Sequence, residues 1–121
     1  MSDKTILIVE DNPVNRELLE AILEANDYEH LSAEDGAIAV DLAAAHLPDL
    51  ILMDIHMGGM DGYAALEKIR QNPDTVGIPV IAITGNATHD DRMRMDEFGF
   101  NDVIIKPYGI DEVLSAVSSY L

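Results

Sequence analysis

The sequence predicts an α/β fold, a doubly wound parallel sheet of five strands in the order 2-1-3-4-5 with five helices. Short aliphatic runs at 6–9, 50–53, 80–83 and 103–105 have the continuous apolar character of strands buried on both faces. These runs alternate with longer segments of helical period, which is the pattern of strand–helix units around a parallel sheet. The length of 121 residues suits one domain, which we expect to span residues 1–121.

Each early element has its own local signal. Asn12 and Pro13 give the first helix an N-cap and a first-turn proline, and a weaker strand follows this helix at 28–33. Pro48 and Asp49 end the alanine-rich second helix before the third strand begins. The helices are predicted over residues 13–25, 34–46, 62–71, 88–98 and 110–120.

The later helices are bounded by similar signals. The third begins near Gly62 and ends before Asn72-Pro73, and the polar fourth helix is capped by Gly99. The fifth helix has apolar residues at the spacing of one buried face. These residues are Ile110, Val113, Leu114 and Val117. The sequence has no internal repeat, low-complexity segment or linker.

The composition excludes several classes of function. The formal net charge is −16, and the chain has seven Lys and Arg residues, so it lacks the clustered positive charge that binding to nucleic acid requires. Without cysteine it has neither disulfides nor a thiolate metal site. Its apolar runs are too short for a signal peptide or a membrane span. We therefore expect a cytoplasmic protein that binds neither membranes nor nucleic acid directly.

The apolar runs end in polar residues of particular kinds. Glu10 and Asp11 follow the first strand, Asp54 the third, Thr84 the fourth and Lys106 the fifth. Open α/β sheets bind ligands beyond the carboxyl ends of their strands, at the point where the strand order reverses. In the predicted order this point lies between the first and third strands. We therefore expect the three carboxylates to meet there.

This combination of side chains suits phosphoryl transfer. Three neighbouring carboxylates repel one another unless a cation is present, and Mg²⁺ prefers oxygen ligands of this kind. Asp54 can then act as a nucleophile toward phosphorus, while Lys106 and Thr84 neutralise and bind the phosphoryl oxygens. Taken singly, an Asp or Thr after a strand is commonly a cap or turn residue, and a Lys before Pro is commonly solvated. Their occurrence together at four strand ends favours the functional interpretation.

Several stretches together resemble the receiver domain of two-component response regulators, and the resemblance covers essentially the whole chain. It implies the flavodoxin-like (βα)5 receiver fold and a role in two-component or phosphorelay signalling. The stretches are Ile6-Leu7-Ile8-Val9-Glu10-Asp11-Asn12, Ile51-Leu52-Met53-Asp54-Ile55-His56-Met57, Met60-Asp61-Gly62, Ile83-Thr84 and Ile105-Lys106-Pro107.

The resemblance also implies roles for individual residues. Asp54 is the expected phosphoacceptor, taking its phosphoryl group from a histidine of a sensor kinase or a histidine phosphotransfer protein. Thr84 and Lys106 are expected to bind the phosphoryl group, and the Lys106-Pro107 peptide bond is expected to be cis. The metal, Mg²⁺ or Mn²⁺ in its place, is expected to be held by Glu10, Asp11, Asp54 and the backbone carbonyl of His56.

The resemblance further implies a switch that acts on other proteins. Phosphorylation is expected to change the face formed by the fourth helix, fifth strand and fifth helix, and so the binding of an unknown downstream protein. The chain is expected to be a monomer or a phosphorylation-dependent dimer. His56 and Asn86 are expected to tune the acyl-phosphate lifetime. The His56 side chain could alternatively act as a metal ligand or a base, but we expect it to face solvent because Mg²⁺ prefers oxygen ligands. Receivers usually have an aromatic residue where this chain has Val103, so the signal is expected to take another route or to be smaller.

The first helix offers a candidate docking surface for the phosphoryl donor. Its apolar residues spread over roughly 200 degrees, wider than the stripe of about 100 degrees that burial on one side requires. Val14 and Leu18 are the candidate contacts with a histidine-bearing helical bundle. The alternative is that residues at the edge of the stripe pack under neighbouring loops.

An enzyme of a different class is the main alternative. Phosphohydrolases with an aspartate nucleophile also place it beside Mg²⁺ at a strand end. They usually carry a second Asp two residues after the nucleophile, where this chain has His56. They also need a cap that covers the substrate, and this chain has no spare residues to form one. We therefore expect no enzyme activity beyond self-phosphorylation and self-dephosphorylation at Asp54.

Three roles are possible within the receiver class: a stand-alone relay or output protein, a sink that drains phosphate from a kinase, and a receiver excised from a hybrid histidine kinase. A start at Met1-Ser2 and an end at Leu121, right after the last helix, favour a natural one-domain protein. We expect no DNA-binding output domain. The segment 10–12 followed by Asn15-Arg16 resembles the receivers of hybrid kinases, which favours a receiver excised from such a kinase.

Overall fold

A computed structural model describes residues 4–57, 59–85 and 88–121, in which strands and helices alternate. The strands are β1 (Thr5–Val9), β2 (Glu29–Ala33), β3 (Leu50–Asp54), β4 (Val80–Thr84) and β5 (Asp102–Ile105). The helices are α1 (Pro13–Glu24), α2 (Gly36–His46), α3 (Gly62–Gln71), α4 (His89–Phe98) and α5 (Ile110–Tyr120). The predicted elements are all confirmed, with bounds that agree to within two residues.

The five strands form one parallel sheet in the order β2-β1-β3-β4-β5, as predicted. Ile8 of β1 lies opposite Leu52 of β3, so the ends of these two strands are neighbours. Asp54, the last residue of β3, lies opposite Ile83 of β4. The strand order reverses between β1 and β3, and the acidic residues lie at the carboxyl ends of these two strands.

Alternate residues of each strand face opposite layers of helices, because successive side chains in a strand point to opposite faces. Leu7 and Val9 pack in the core that contains buried residues of α2, α3 and α4. Ile6 and Ile8 pack in the second core, with buried residues of α1 and α5. Burial on both faces explains why the strands read as continuous apolar runs.

Capping residues fix the ends of α1 and α4. The Oδ1 atom of Asn12 accepts hydrogen bonds from the backbone N–H groups of Val14 and Asn15, at 2.9 and 3.1 Å. Thr88 and Asp91 form a reciprocal capping box at the start of α4. Gly99 ends α4 with a φ of 104°, a left-handed conformation that favours glycine.

Gly62 lets α3 begin directly against the end of β3. A Cβ atom at this position would lie 2.9 Å from the Cα of Ile55 and 3.0 Å from the backbone oxygen of Asp54. The backbone N–H of Gly62 donates to the Ile55 carbonyl at 3.2 Å. The start of α3 is therefore packed against the peptide unit that follows Asp54.

In the described part of the chain, each helix is too short or too polar to cross a membrane.

Candidate functional site

Three acidic residues meet where β1 and β3 end, as the sequence predicts. Glu10 and Asp54 are 2% and 3% exposed, and Asp11 is exposed on the loop that leads into α1. Each of the three offers a carboxylate oxygen, and these oxygens lie within 4.8 Å of one another. Among the described residues this is the one acidic or histidine cluster compact enough to hold a metal ion.

Lys106 brings a positive charge to the same cluster. Its Nζ atom lies 2.8 Å from Oδ2 of Asp54 and 3.5 Å from Oε1 of Glu10. Burial lowers the pKa of Lys106, but the hydrogen bond and charge of Asp54 and the charge of Glu10 raise it, and the net direction is upward. The Lys106 N–H donates to the Thr84 carbonyl at 2.8 Å, and the bond between Lys106 and Pro107 is cis, as expected.

The Asp54 carboxylate is held from two sides. Oδ2 accepts from Lys106, while Oδ1 accepts a 2.9 Å hydrogen bond from the backbone N–H of His56. The side chain of His56 is exposed, which agrees with the expectation that it faces solvent. It borders an open cleft of about 400 Å³. The cleft is lined by Ile55, His56, Met57, Asp61, Tyr63 and Arg94.

Thr84 is buried at the end of β4, the strand next to β3. Thr84 lies at the same edge of the sheet as Asp54 and Lys106. The apolar runs of the sequence predicted this position. Asn86, the second residue expected to affect the lifetime of the acyl phosphate, lies outside the described residues.

The charge balance of the cluster favours a bound cation. Burial, together with the hydrogen bond and the charge of Asp54, raises the pKa of Glu10 to about 7, although Lys106 opposes this shift. In this cluster one ammonium faces three carboxylates, so a further positive charge would reduce the repulsion between them. Mg²⁺ prefers such oxygen ligands and keeps several waters. The donor set therefore fits Mg²⁺.

The raised pKa of Glu10 predicts how stability depends on pH without a metal. The unfolded chain loses the Glu10 proton near pH 4.5, whereas the folded protein keeps it until about pH 7. As pH rises through this window, the contribution of Glu10 to the free energy of unfolding falls, by roughly 3 kcal/mol in total. Urea unfolding in a chelator at about pH 5 and about pH 8 measures this loss.

Glu10→Gln is the matched control for the pH series, because glutamine has nearly the same shape and does not titrate. The pH dependence of the variant should be flatter than that of the unaltered protein by the contribution of Glu10. Identical pH profiles for the two proteins would show that Glu10 does not hold its proton in the folded state.

The candidate docking residues lie on an exposed part of α1. Val14 and Leu18 are 73% and 47% exposed, so the alternative that they pack under neighbouring loops is wrong for these two. It is the inner residues of α1, Leu19, Ile22 and Leu23, that are buried. An open cleft of about 360 Å³ separates α1 from the end of β5. It is lined by Asn15, Leu18, Lys106, Pro107 and Tyr108.

An aromatic cluster between α3 and α4 was not predicted. The ring of Tyr63 makes edge contacts with Phe98 and Phe100, at centroid distances of 4.8 and 5.8 Å. The guanidinium of Arg94 lies 4.2 Å from the Tyr63 centroid, a cation–π geometry. Val103, which stands where receivers usually have an aromatic residue, is partly buried against the core that contains Phe100. The aromatic contacts to α4 therefore come from α3 and not from β5.

The chain matches a known family over most of its length. Residues 6–118 match the model of the response regulator receiver domain. The polar-differentiation response regulator DivK of Brucella anthropi is 36% identical over 118 residues, which are 98% of this chain and 96% of DivK. The response regulator PleD of Caulobacter vibrioides is 44% identical over 109 residues, which are 90% of this chain. The match covers 24% of PleD, so the chain spans about a quarter of that relative.

Solved structures show the same fold. The receiver domain of the sensor histidine kinase PA1611 from Pseudomonas aeruginosa, described with magnesium coordinated in its active-site cleft, is 36% identical with a TM-score of 0.91. That match covers 98% of each chain. The chemotaxis protein CheY4 of Vibrio cholerae has a TM-score of 0.94 at 22% identity, over 99% of this chain and 100% of CheY4, and supports the fold alone.

Proposed function

This chain belongs to the family of response regulator receiver domains, and we propose that Asp54 is the residue at which it accepts a phosphoryl group. The observation that carries the proposal is the environment of the Asp54 carboxylate. It is buried at the switch point of the sheet, Lys106 lies 2.8 Å from one oxygen, and the His56 N–H lies 2.9 Å from the other. A carboxylate fixed in this way is oriented for attack on an incoming phosphorus atom.

The transfer breaks one bond to phosphorus and forms another. A carboxylate oxygen of Asp54 attacks the phosphorus of a phosphohistidine, and the bond from phosphorus to the histidine nitrogen breaks. The nitrogen keeps the electron pair of that bond, and the product is an acyl phosphate on Asp54. Lys106 then donates to the phosphoryl oxygens, and the hydroxyl of Thr84 offers a further hydrogen bond.

We assign the metal site to Mg²⁺, with Mn²⁺ as a substitute. The residues that would hold it are Glu10, Asp11, Asp54 and the backbone carbonyl of His56. When bound, the ion supplies positive charge that offsets the carboxylates and the phosphoryl oxygens. The carboxylate oxygens within 4.8 Å of one another support this assignment, as does the magnesium described in the cleft of the PA1611 receiver domain.

The partners are proposed from membership of the receiver family. The phosphoryl donor is a sensor histidine kinase or a histidine phosphotransfer protein, and the chain is proposed to act in the cytoplasm. The output is a change in the face formed by α4, β5 and α5, which alters the binding of a downstream protein or drives dimerisation. His56 and Asn86 lie two residues after Asp54 and Thr84 and are proposed to tune the lifetime of the acyl phosphate.

Measurement of intact mass tests the proposed function. The protein is incubated with acetyl phosphate or phosphoramidate, with and without Mg²⁺, beside Asp54→Asn. We expect an adduct of one phosphoryl group that requires Mg²⁺ and is absent from the variant. An adduct of equal size on Asp54→Asn, or none on the unaltered chain in any condition, would refute the proposal.

Turnover distinguishes this function from that of a phosphohydrolase. The position two residues after Asp54 is His56, whose side chain is exposed, where such enzymes usually carry a second Asp. We therefore expect no steady-state hydrolysis of a small phosphate ester such as p-nitrophenyl phosphate. Sustained release of nitrophenol that is lost in Asp54→Asn would favour the hydrolase.

The exposed residues of α1 predict a selective effect on the protein donor. Leu18→Ser removes apolar surface that lines the cleft running to Lys106. Val14→Ser removes exposed apolar surface one helical turn earlier in α1. Each change should slow phosphotransfer from a histidine kinase or phosphotransfer protein by roughly tenfold, which corresponds to about 1.4 kcal/mol. The rate with acetyl phosphate should not change, because that donor is too small to reach α1.

The control for this prediction is Val76→Ser. Val76 is 48% exposed, like Leu18, but it lies in the loop between α3 and β4. It should leave both rates unchanged. Equal loss of phosphotransfer and of acetyl phosphate reactivity in the α1 variants would mean that they damage the Asp54 site and not a docking surface.

A further inference from the structure

Arg16 links α1 to the acidic cluster. It lies in the first turns of α1 and is partly buried. Its Nη1 atom donates a 3.0 Å hydrogen bond to the backbone carbonyl of Glu10. The side chain therefore reaches back from the helix to the loop that carries two of the three carboxylates.

The bond to Arg16 completes the hydrogen bonding of Glu10. The Glu10 N–H donates to the Ala33 carbonyl at 3.1 Å, and the Glu10 carboxylate accepts from Lys106 Nζ and from the N–H of Asn12, both at 3.5 Å. The carbonyl accepts from Arg16. Because this carbonyl belongs to the peptide unit that joins Glu10 to Asp11, its orientation helps to set the direction of the Asp11 side chain.

We propose that Arg16 is a positioning residue for the cation site, holding the Glu10–Asp11 peptide unit so that the Asp11 carboxylate faces Glu10 and Asp54. This inference rests on the proposed function, because it takes the acidic cluster to be a Mg²⁺ site. Groups that orient metal ligands commonly change metal affinity by about 10-fold to 100-fold when they are removed. Arg16 acts here through the backbone carbonyl of Glu10, so it is a positioning residue and not one of the proposed metal ligands.

The positive charge of Arg16 and its positioning of the loop would have opposite effects on Mg²⁺ affinity, so the two contributions can be separated. Arg16 is a cation near a site for a dication, and Coulomb repulsion alone weakens the binding of Mg²⁺. If charge were its only contribution, removal of Arg16 would tighten Mg²⁺ binding. If Arg16 positions the loop, its removal weakens binding despite the lost repulsion.

The experiment measures Mg²⁺ binding directly by isothermal titration calorimetry on protein that has been freed of metal. Arg16→Met keeps the bulk of the side chain and removes both its charge and its donors. We expect it to raise the Kd for Mg²⁺ by about 10-fold. Arg16→Lys keeps the charge and one flexible donor, and should recover part of that loss.

Lys68→Met controls for the loss of a positive charge, because Lys68 is exposed in the last turn of α3. Its Kd should stay within about twofold of the unaltered protein, since exposed charges at a distance are screened by salt. Melting curves in a chelator show whether each variant is folded. The gain in melting temperature on adding Mg²⁺ should be smaller for Arg16→Met than for the other proteins.

An unchanged or lower Kd in Arg16→Met, with a folded protein, would overturn the positioning role. Absence of Mg²⁺ binding in the unaltered chain would instead contradict the proposed function. The two failures are therefore distinguishable in the same titration series.

Discussion

Replacing Lys106 by methionine should abolish phosphorylation of Asp54 and destabilise the metal-free protein. The change removes the ammonium that lies 2.8 Å from Asp54 and 3.5 Å from Glu10, while both carboxylates stay buried. Removing one partner of a buried ion pair commonly costs about 3 kcal/mol or more. In a chain of this length, that corresponds to a fall in melting temperature of roughly 10 °C.

Mg²⁺ should restore part of this stability, because the ion replaces the missing positive charge. It should not restore phosphorylation, since the donor that holds the phosphoryl oxygens is absent. Melting curves in chelator and in Mg²⁺, together with intact mass after acetyl phosphate, measure both effects. Lys68→Met is again the control, and a metal-free Lys106→Met as stable as this control would contradict the charge balance described for the cluster.

Replacing Gly62 by alanine should destabilise the fold and slow phosphorylation together. The new Cβ would meet two backbone atoms, the Cα of Ile55 at 2.9 Å and the oxygen of Asp54 at 3.0 Å. Neither can rotate away as a flexible side chain would, so α3 or the end of β3 must shift. Overpacking of this kind costs about 1 to 3 kcal/mol. The shift also displaces the His56 N–H that orients the Asp54 carboxylate.

Gly77→Ala is the matched control for this substitution, since a Cβ at Gly77 meets no atom within 4 Å among the described residues. Urea unfolding measures the stability of both variants, and the rate of adduct formation with acetyl phosphate reports the site. We expect Gly62→Ala to reduce both the stability and the rate of adduct formation, and Gly77→Ala to reduce neither. A Gly62→Ala protein that is as reactive as the unaltered chain would show that the site tolerates a shift of α3.

The sheet and its carboxyl edge were predictable because burial on both faces leaves a direct trace in the sequence. Each of the four strongest strands is a continuous aliphatic run, and a polar or charged residue comes directly after the run. Glu10, Asp54, Thr84 and Lys106 therefore stand out at the ends of these runs. Parallel pairing then brings them to one edge, whatever the details of the helices.

Contacts between helices could not be read in the same way. Tyr63 and Phe98 lie on different helices, and their stacking depends on how α3 and α4 pack on the sheet. Tyr63 is partly buried and Arg94 is exposed, as is ordinary for such residues on helices, so their pairing leaves no periodic signal in the sequence. The absence of an aromatic residue at Val103 was visible, but the cluster that occupies the space near α4 was not.

The role of Arg16 was only partly predictable from the sequence. It lies six residues after Glu10, and its bond to the Glu10 carbonyl is local. An arginine near the start of a helix is normally solvated, and helix N-termini favour negative charge, so its position is unfavourable for the helix dipole. That conflict was the one sequence signal that could have indicated a role toward the acidic loop.

The site of phosphorylation is the most direct test of the account. After reaction with acetyl phosphate and Mg²⁺, borohydride reduces an acyl phosphate to an alcohol, which converts a phosphorylated aspartate into homoserine. Peptide mass spectrometry then locates the reduced side chain. We predict homoserine at position 54 and unchanged side chains at Glu10 and Asp11. Reduction at Glu10 or Asp11 in place of Asp54, or a phosphorylated protein with no reduced carboxylate, would contradict the assignment of Asp54 as the phosphoacceptor.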